Sequence, residues 1–477
     1  MFEQDKSSLK SSKWRFRPGE QRTILLFGDF LIAVLAFFLA LYIWGTQPDE
    51  WLQFSLDFLQ QRVPLWFYLL PIAWLVLMLD LYDVHNANNW PGTLRGILTT
   101  GIGGLLIYAI IYLVSPKGSL PRIGVGIFLI NSTILTLCWR WIYIKIFNAP
   151  SVIRRVAILG AGVTGKTLAK AYDLMLQKPF KLVGFIDDDP TKQGQIIENL
   201  PVLSNSDLLL SIINKYEISE MVIAISGQMS GETFQAILDA QEIGLEITQM
   251  PATYEELLGR VPIHHLEADW IIRSFVDEAR VSKFYELGKR ILDIIGGFIG
   301  TMVFLFFYPF IALLILIDSG SPITYVQIRS GKSGKPYRML KFRTMYQDAE
   351  KDGQVQLTQE KDTRITKIGM FLRRTHIDEL PQFLNVLQGV MSMVGPRSER
   401  PEWISEFQKQ IPFYRARLLV KPGITGWAQV NYSYYATVEE MAIKLEYDLY
   451  YLKHRNLYMD LTILLRTVGQ VLRFKGR

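Results

Sequence analysis

The sequence predicts a multidomain membrane protein with three parts: an N-terminal bundle of four transmembrane helices, a Rossmann-like α/β middle domain, and a mainly α C-terminal domain with a re-entrant membrane helix. Three observations carry this reading. Four long apolar runs fill the first 150 residues; a β-branched segment then runs into a glycine-rich turn; and a fifth apolar run near residue 300 is basic on both flanks and holds a proline. The composition agrees: hydrophobic residues make up 49% of the chain and charged residues only 20%, which leans away from an ordinary soluble enzyme.

Residues 1–22 carry Lys6, Lys10, Lys13, Arg15, Arg17 and Arg22 among few apolar residues, the pattern of a basic arm lying on an anionic leaflet. The four runs in 23–150 span about 24–44, 65–81, 97–114 and 123–147. Each is close to the roughly 20 residues that cross a bilayer as a helix. The second is the shortest, with Pro64 before it and Pro71 inside it. Asp49, Glu50 and Asp57 fill the first loop, whereas Lys145, Arg154 and Arg155 mark the end of the fourth run. Positive-inside reasoning puts both ends of the bundle in the cytoplasm. The lone cysteine, Cys138, allows no intrachain disulfide.

Residues 151–280 are expected to form the middle domain. A strand from Val152 enters Gly160-x-Gly162-x-x-Gly165, a helix can continue over 166–176, and a second strand over 182–186 ends at Asp187. This is the order a dinucleotide loop needs: glycines for a tight turn, a helix N-terminus for phosphate, an acid for ribose. The same glycines also serve plain strand–helix packing, so both uses stay open.

Residues 281–477 begin with an apolar run over about 291–317, with Lys289 and Arg290 before it and Lys332, Lys335, Lys341 and Arg343 after it. A helix broken at Pro309 that enters and leaves by one face fits both the charges and the missing donor of proline. Beyond it come clusters of basic residues and glycine turns around one acidic pair: Lys341, Arg343, Arg364, Arg373 and Arg397 around Asp378 and Glu379. Arginines and backbone amides bind phosphate oxygens, and a carboxylate among them can be a nucleophile or hold Mg²⁺.

From about Lys289 to Leu472, these segments resemble the bacterial sugar transferases, the polyprenyl-phosphate hexose-1-phosphate transferases or monotopic phosphoglycosyl transferases. The four-helix bundle and middle domain resemble the larger branch of that family. The ending around Asn431–Tyr435 and Lys444–Leu452 looks like members serving exopolysaccharide assembly. The resemblance implies transfer of a sugar-1-phosphate from a UDP-sugar, such as UDP-glucose or UDP-galactose, to undecaprenyl phosphate at the bacterial inner membrane, releasing UMP. It also implies Asp378 as nucleophile, Glu379 as helper in placing Mg²⁺, and Arg373 and Arg397 as phosphate holders, with Lys341, Arg343 and Arg364 as further candidates. The middle and catalytic domains would lie on the cytoplasmic side, and a homodimer is an expected assembly.

Three positions depart from the family pattern: Val390 where an acid is usual, Ser398 after Pro396-Arg397, and His376 two residues before Asp378. The first two bear on the uridine pocket. A dehydratase with a Tyr-x-x-x-Lys pair is disfavoured because Tyr285–Lys289 and Tyr337–Lys341 lie beyond the middle domain. A nucleic-acid partner is not expected, since no recognisable module or clustered basic face is present. The aromatic tail over 432–458 reads as an interfacial helix instead.

Overall fold

A computed structural model describes residues 18–48, 52–82, 87, 89–115, 121–147, 153–175, 178–266, 282–347, 362–432 and 437–472. The basic arm before residue 18, Asp49, Glu50 and the expected domain boundary at 280 lie outside them. The chain divides into two compact units, Met1–Thr253 and Tyr254–Arg477.

The first unit opens with α1 (Pro18–Gly45), then α2 (Leu70–Leu77), α3 (Trp90–Val114) and α4 (Arg122–Phe147). Helices α1, α3 and α4 are long and apolar enough to cross a membrane. The second expected span is not one continuous helix. It is split into a 3₁₀ turn over Leu65–Leu69, the eight residues of α2, and another 3₁₀ turn over Leu79–Tyr82. Pro71 stands in the first turn of α2, where its missing N–H costs nothing and a new helix starts readily. Arg140 of α4 donates to the Leu81 carbonyl at 2.9 Å and pairs with Asp29 of α1 at 2.7 Å, both side chains fully buried. A charge buried this deeply in an apolar bundle requires such a partner.

The α/β part of this unit contains β1 (Arg155–Leu159), α5 (Val163–Asp173), β2 (Lys181–Ile186), β3 (Ile196–Ile197) and β4 (Leu200–Ser204). It continues with α6 (Leu209–Tyr216), β5 (Glu220–Ile223), α7 (Gly231–Glu242) and β6 (Glu246–Gln249). The sheet order is β3-β4-β2-β1-β5-β6, parallel except at β3. Order reverses on either side of β1, as in a doubly wound Rossmann-like sheet. Its core includes Ala157, Leu159, Ile186, Ile213, Met221 and Ile237. Helix α8 (Met250–Leu258) follows, within which the first unit ends.

The second unit is built on α9 (Lys283–Ser319), 37 residues with Pro309 inside. The expected break at Pro309 is absent: the helix runs through it. Proline removes one donor, but Phe304 before it and Ile311 after it are buried in the same cluster with Phe342 and Leu372, which holds both halves. The antiparallel hairpin β7 (Thr324–Ser330) and β8 (Pro336–Phe342) follows. Next come α10 (Lys367–Arg374), α11 (Gln382–Gln388), β9 (Ser392–Val394), α12 (Pro401–Gln410), β10 (Gly423–Thr425), α13 (Trp427–Asn431), α14 (Val438–His454) and α15 (Leu457–Leu472).

Helix α9 contacts its own unit along its whole length. Lys289 donates to Val394 O and Arg290 to Val386 O and Leu387 O. Asp293 accepts from the Ser392 hydroxyl and Met393 N–H, both at 2.8 Å. At the far end, Asp318 accepts from Ile368 N–H at 3.1 Å. The other side exposes Phe298, Ile299, Phe306, Phe310, Leu313 and Ile317. The main core joins Val261 and Ile263 with Val394, Ile404, Leu445, Leu449 and Ile463. Helix α14 therefore differs from the expected interfacial helix: Leu445, Leu449, Tyr451 and Leu452 are buried in that core.

Candidate active site

Asp378 and Glu379 lie on a 3₁₀ turn, Ile377–Glu379, between α10 and α11. Thr366 caps α10 by accepting from Gly369 N–H at 2.9 Å. His376 then takes a left-handed backbone, φ 57°, which ends the helical path and reverses the chain. The turn carries both acids into the unit, leaving Asp378 7% and Glu379 9% exposed. Asn385 of α11 accepts from Leu340 N–H at 3.1 Å and donates to Arg338 O at 3.0 Å. It thereby sets β8, which carries Lys341, against the element that follows the acid pair.

Two cations close on Glu379. Lys341 Nζ and an Arg397 NH group each donate to Glu379 Oε1 at 2.8 Å. Burial opposes ionisation of Glu379, but Arg397 and Lys341 outweigh it and hold the carboxyl well below the usual range. Asp378 behaves differently. Burial raises its carboxyl above the ordinary value and the charge of Glu379 adds to this, against Lys341, Arg373 and Arg397. Adjacent carboxylates in different surroundings are thus driven apart. Arg373 is itself steadied by Nε donating to Thr344 Oγ1 at 2.9 Å.

Of the five basic candidates, the structure gathers Lys341, Arg373 and Arg397 around the pair. Arg343 is placed elsewhere. It donates to the carbonyls of Ser319 and Gly320 and to the Ser319 hydroxyl, so it caps the C-terminus of α9. Strand β8 ends at Phe342, so Arg343 leaves the alternation that directs Lys341. Arg364 forks onto Asp362, with Nε at 2.8 Å and an NH group at 2.6 Å. Residues that sequence reasoning missed are Asn385 and Asp293. An acid inside an apolar run was the available signal for Asp293; nothing local marks Asn385.

The glycine loop lies at the C-terminal end of β1. Gly160 has φ 106°, and a Cβ on Gly165 would stand 2.0 Å from Gly160 O, so both glycines are required by strand–helix packing. Gly162 has open space beside it. Asp187, expected to meet a ribose, instead accepts from Ala161 N–H at 2.6 Å and pairs with Lys192 at 3.1 Å. Its carboxylate holds the loop that it follows.

Among the described residues no group of three or more His, Cys, Asp or Glu side chains could hold a metal ion. The pair Asp378–Glu379 still suits Mg²⁺, which binds through one or two carboxylates and completes its shell with water and substrate phosphate.

Comparison with known proteins gives two family matches. Residues 284–474 match the bacterial sugar transferase family, and residues 77–247 match a CoA-binding domain. The chain is 33% identical over 336 residues to an Escherichia coli UDP-glucose:undecaprenyl-phosphate glucose-1-phosphate transferase, covering 68% of each. It is 27% identical over 404 residues to an undecaprenyl-phosphate glucose phosphotransferase of Komagataeibacter xylinus, covering 82% of this chain and 73% of that one. An Aeromonas hydrophila UDP-N-acetylgalactosamine-undecaprenyl-phosphate N-acetylgalactosaminephosphotransferase is 39% identical over 218 residues, 46% of this chain and half (50%) of the relative's length. The matched C-terminal region contains the acid pair and all three of its cations, and the E. coli likeness extends well beyond it: the chain belongs to the bacterial sugar transferase family.

Proposed function

We propose that this chain transfers a sugar-1-phosphate from a UDP-hexose to undecaprenyl phosphate, releasing UMP, and that Asp378 is the nucleophile. The observation that carries the reading is the buried Asp378–Glu379 pair with Lys341, Arg373 and Arg397 around it. A carboxylate approaches a diphosphate against like charge, and only fixed cations in a partly dry recess offset that repulsion. In the first step an Asp378 carboxylate oxygen bonds to the sugar-bearing phosphorus, and the bond from that phosphorus to the bridging oxygen breaks. UMP leaves with that oxygen. A phosphate oxygen of undecaprenyl phosphate then attacks the same phosphorus and displaces Asp378, giving undecaprenyl-diphosphate-sugar.

Lys341 and Arg397 are shared between Glu379 and the incoming diphosphate, so donor binding draws on cations already in place. Arg373 acts on Asp378 and favours its ionised, nucleophilic form. Mg²⁺ bound at Asp378 and Glu379 would supply charge neutralisation on the diphosphate. Splitting the transfer into two displacements suits substrates that never need to meet: one is water-soluble, the other lipid-bound.

The same reading puts the site at the cytoplasmic face of the bacterial inner membrane, with α9 lying in that face by its exposed apolar side and the product serving exopolysaccharide or related surface-glycan assembly. Supporting it, α9 holds Val394 near one end and Ile368 near the other while exposing an apolar side. Full-length protein in nanodiscs, given Mg²⁺, undecaprenyl phosphate and a panel of UDP-sugars, is expected to release UMP with at least one hexose. Asp378→Asn should lower that release by more than about a hundredfold. Release unaffected by Asp378→Asn would contradict the reading.

A further inference from the structure

Behind Arg397 lies a set of buried charges that the transfer chemistry does not itself use. Glu399 is 5% exposed and Arg417 is 4% exposed. Lys444 Nζ donates to Glu399 Oε1 at 2.6 Å, and an Arg417 NH group stands 3.4 Å from the same oxygen. Arg417 also pairs with Asp448 at 2.8 Å and donates to the Tyr414 hydroxyl at 2.8 Å. Lysine and arginine together outweigh the burial of Glu399 and hold its carboxyl down at about 2, whereas burial raises the carboxyl of Asp448.

Such clusters are often no more stabilising than apolar side chains of the same volume, so their geometry is the informative part. Arg417 donates to the Arg397 carbonyl at 3.0 Å, and Arg329 donates to the next carbonyl, that of Ser398, at 3.0 Å. Ser330 N–H donates to the Glu399 carbonyl at 3.0 Å. Three successive carbonyls from Arg397 to Glu399 are therefore fixed by donors, and two of those donors are guanidinium groups near the Glu399 carboxylate. The side chain that emerges from this segment is the one that meets Glu379.

We propose that Arg417, with Arg329 and the Glu399 carboxylate that anchors both, is a positioning residue for donor binding: it fixes the Arg397 backbone so that the Arg397 guanidinium stands where the donor diphosphate must be held. This rests on the phosphate role of Arg397 given above. A lysine at 417 keeps the positive charge but is a point donor, and cannot serve Asp448, Tyr414 and the Arg397 carbonyl together in the planar geometry of arginine.

The test is a double-mutant cycle on full-length protein in nanodiscs, reading KM for the UDP-sugar, kcat and the thermal midpoint. Arg417→Lys is expected to raise KM by about tenfold, with a smaller change in kcat and a midpoint within a few degrees of the parent. In an Arg397→Ala background, the same substitution should change kcat/KM by less than about twofold. Equal losses in both backgrounds would overturn the positioning role, since a merely structural defect is indifferent to the side chain at 397. Should Arg417→Lys fail to fold, Arg329→Lys is run in the same cycle, with the same expectation and the same overturning result. If Arg397→Ala alone leaves KM and kcat unchanged, the phosphate role itself fails, and that outcome is distinct from the first.

Discussion

Lys341 and Arg343 are two residues apart, yet one meets Glu379 and the other caps α9. Lys341→Met is expected to raise KM for the donor at least about tenfold with little loss of stability. Arg343→Gln should instead lower stability by roughly 1–3 kcal/mol, because it removes a charged donor from part-buried carbonyls, and should leave KM unchanged. Steady-state kinetics and denaturant melts on both variants check this. A second residue-scale prediction concerns Glu446. Burial pushes its carboxyl up to about 7, although Arg260 lies 3.3 Å away. The folded value lies above the unfolded one, so this contribution to stability is complete below about pH 4.5 and is lost as the pH rises through about 7. Glu446→Gln should flatten that dependence and raise stability at pH 8 by up to roughly 3 kcal/mol. Unfolding measured at pH 5 and pH 8 decides it; an unchanged slope in the variant would contradict the assignment.

The elements differ in how openly the sequence announces them. The strand–glycine–helix order at Gly160–Gly165 was legible because each step has its own local chemistry, and β1, α5 and β2 formed where expected. The use of Asp187 was not, since its bond to Ala161 N–H crosses 26 positions. Packing predicts a contrast within the loop. Gly165→Ala places a Cβ against Gly160 O and should cost about 1–3 kcal/mol, whereas Gly162→Ala meets nothing within 4 Å and should be near neutral. Thermal melts of the two variants test this; equal effects would argue for a loop shaped by something other than packing. Helix α14 misled for a related reason. Its aromatic residues read as interfacial anchors, but Lys444, Glu446 and Asp448 among them are all buried and partnered inside the unit. Ion pairing of that kind arises only once α14 meets the residues around Glu399 and Arg260.

At the scale of the whole molecule, three of the four N-terminal apolar runs form helices long and apolar enough to cross a membrane, as does the run around residue 300. The run at 65–81 forms no single α-helix of spanning length: α2, with Pro71 in its first turn, has eight residues between two 3₁₀ turns. Pro309 lies in a helix packed on both sides and did not break it. Position in a sequence does not distinguish those cases; the surrounding contacts do. If both ends of α9 lie on one face, cysteines placed at Lys283 and Lys332 in a Cys138→Ser background should react with an impermeant thiol reagent from the same side of sealed vesicles. Labelling from opposite sides would make α9 a true crossing and would remove the interfacial site.

The acid pair was readable from sequence because Asp378 and Glu379 are adjacent and their basic partners recur in short clusters; which cations reach them was not, because that depends on where β8 ends. The nucleophilic role of Asp378 is tested most directly by mass spectrometry of delipidated protein incubated with UDP-sugar and Mg²⁺ in the absence of undecaprenyl phosphate. A mass increase of one hexose phosphate on the peptide containing Asp378, with about one UMP released per chain and loss of the adduct when the lipid phosphate is added, is the expected result. UMP release that requires the lipid, with no adduct on Asp378 at any time, would contradict it.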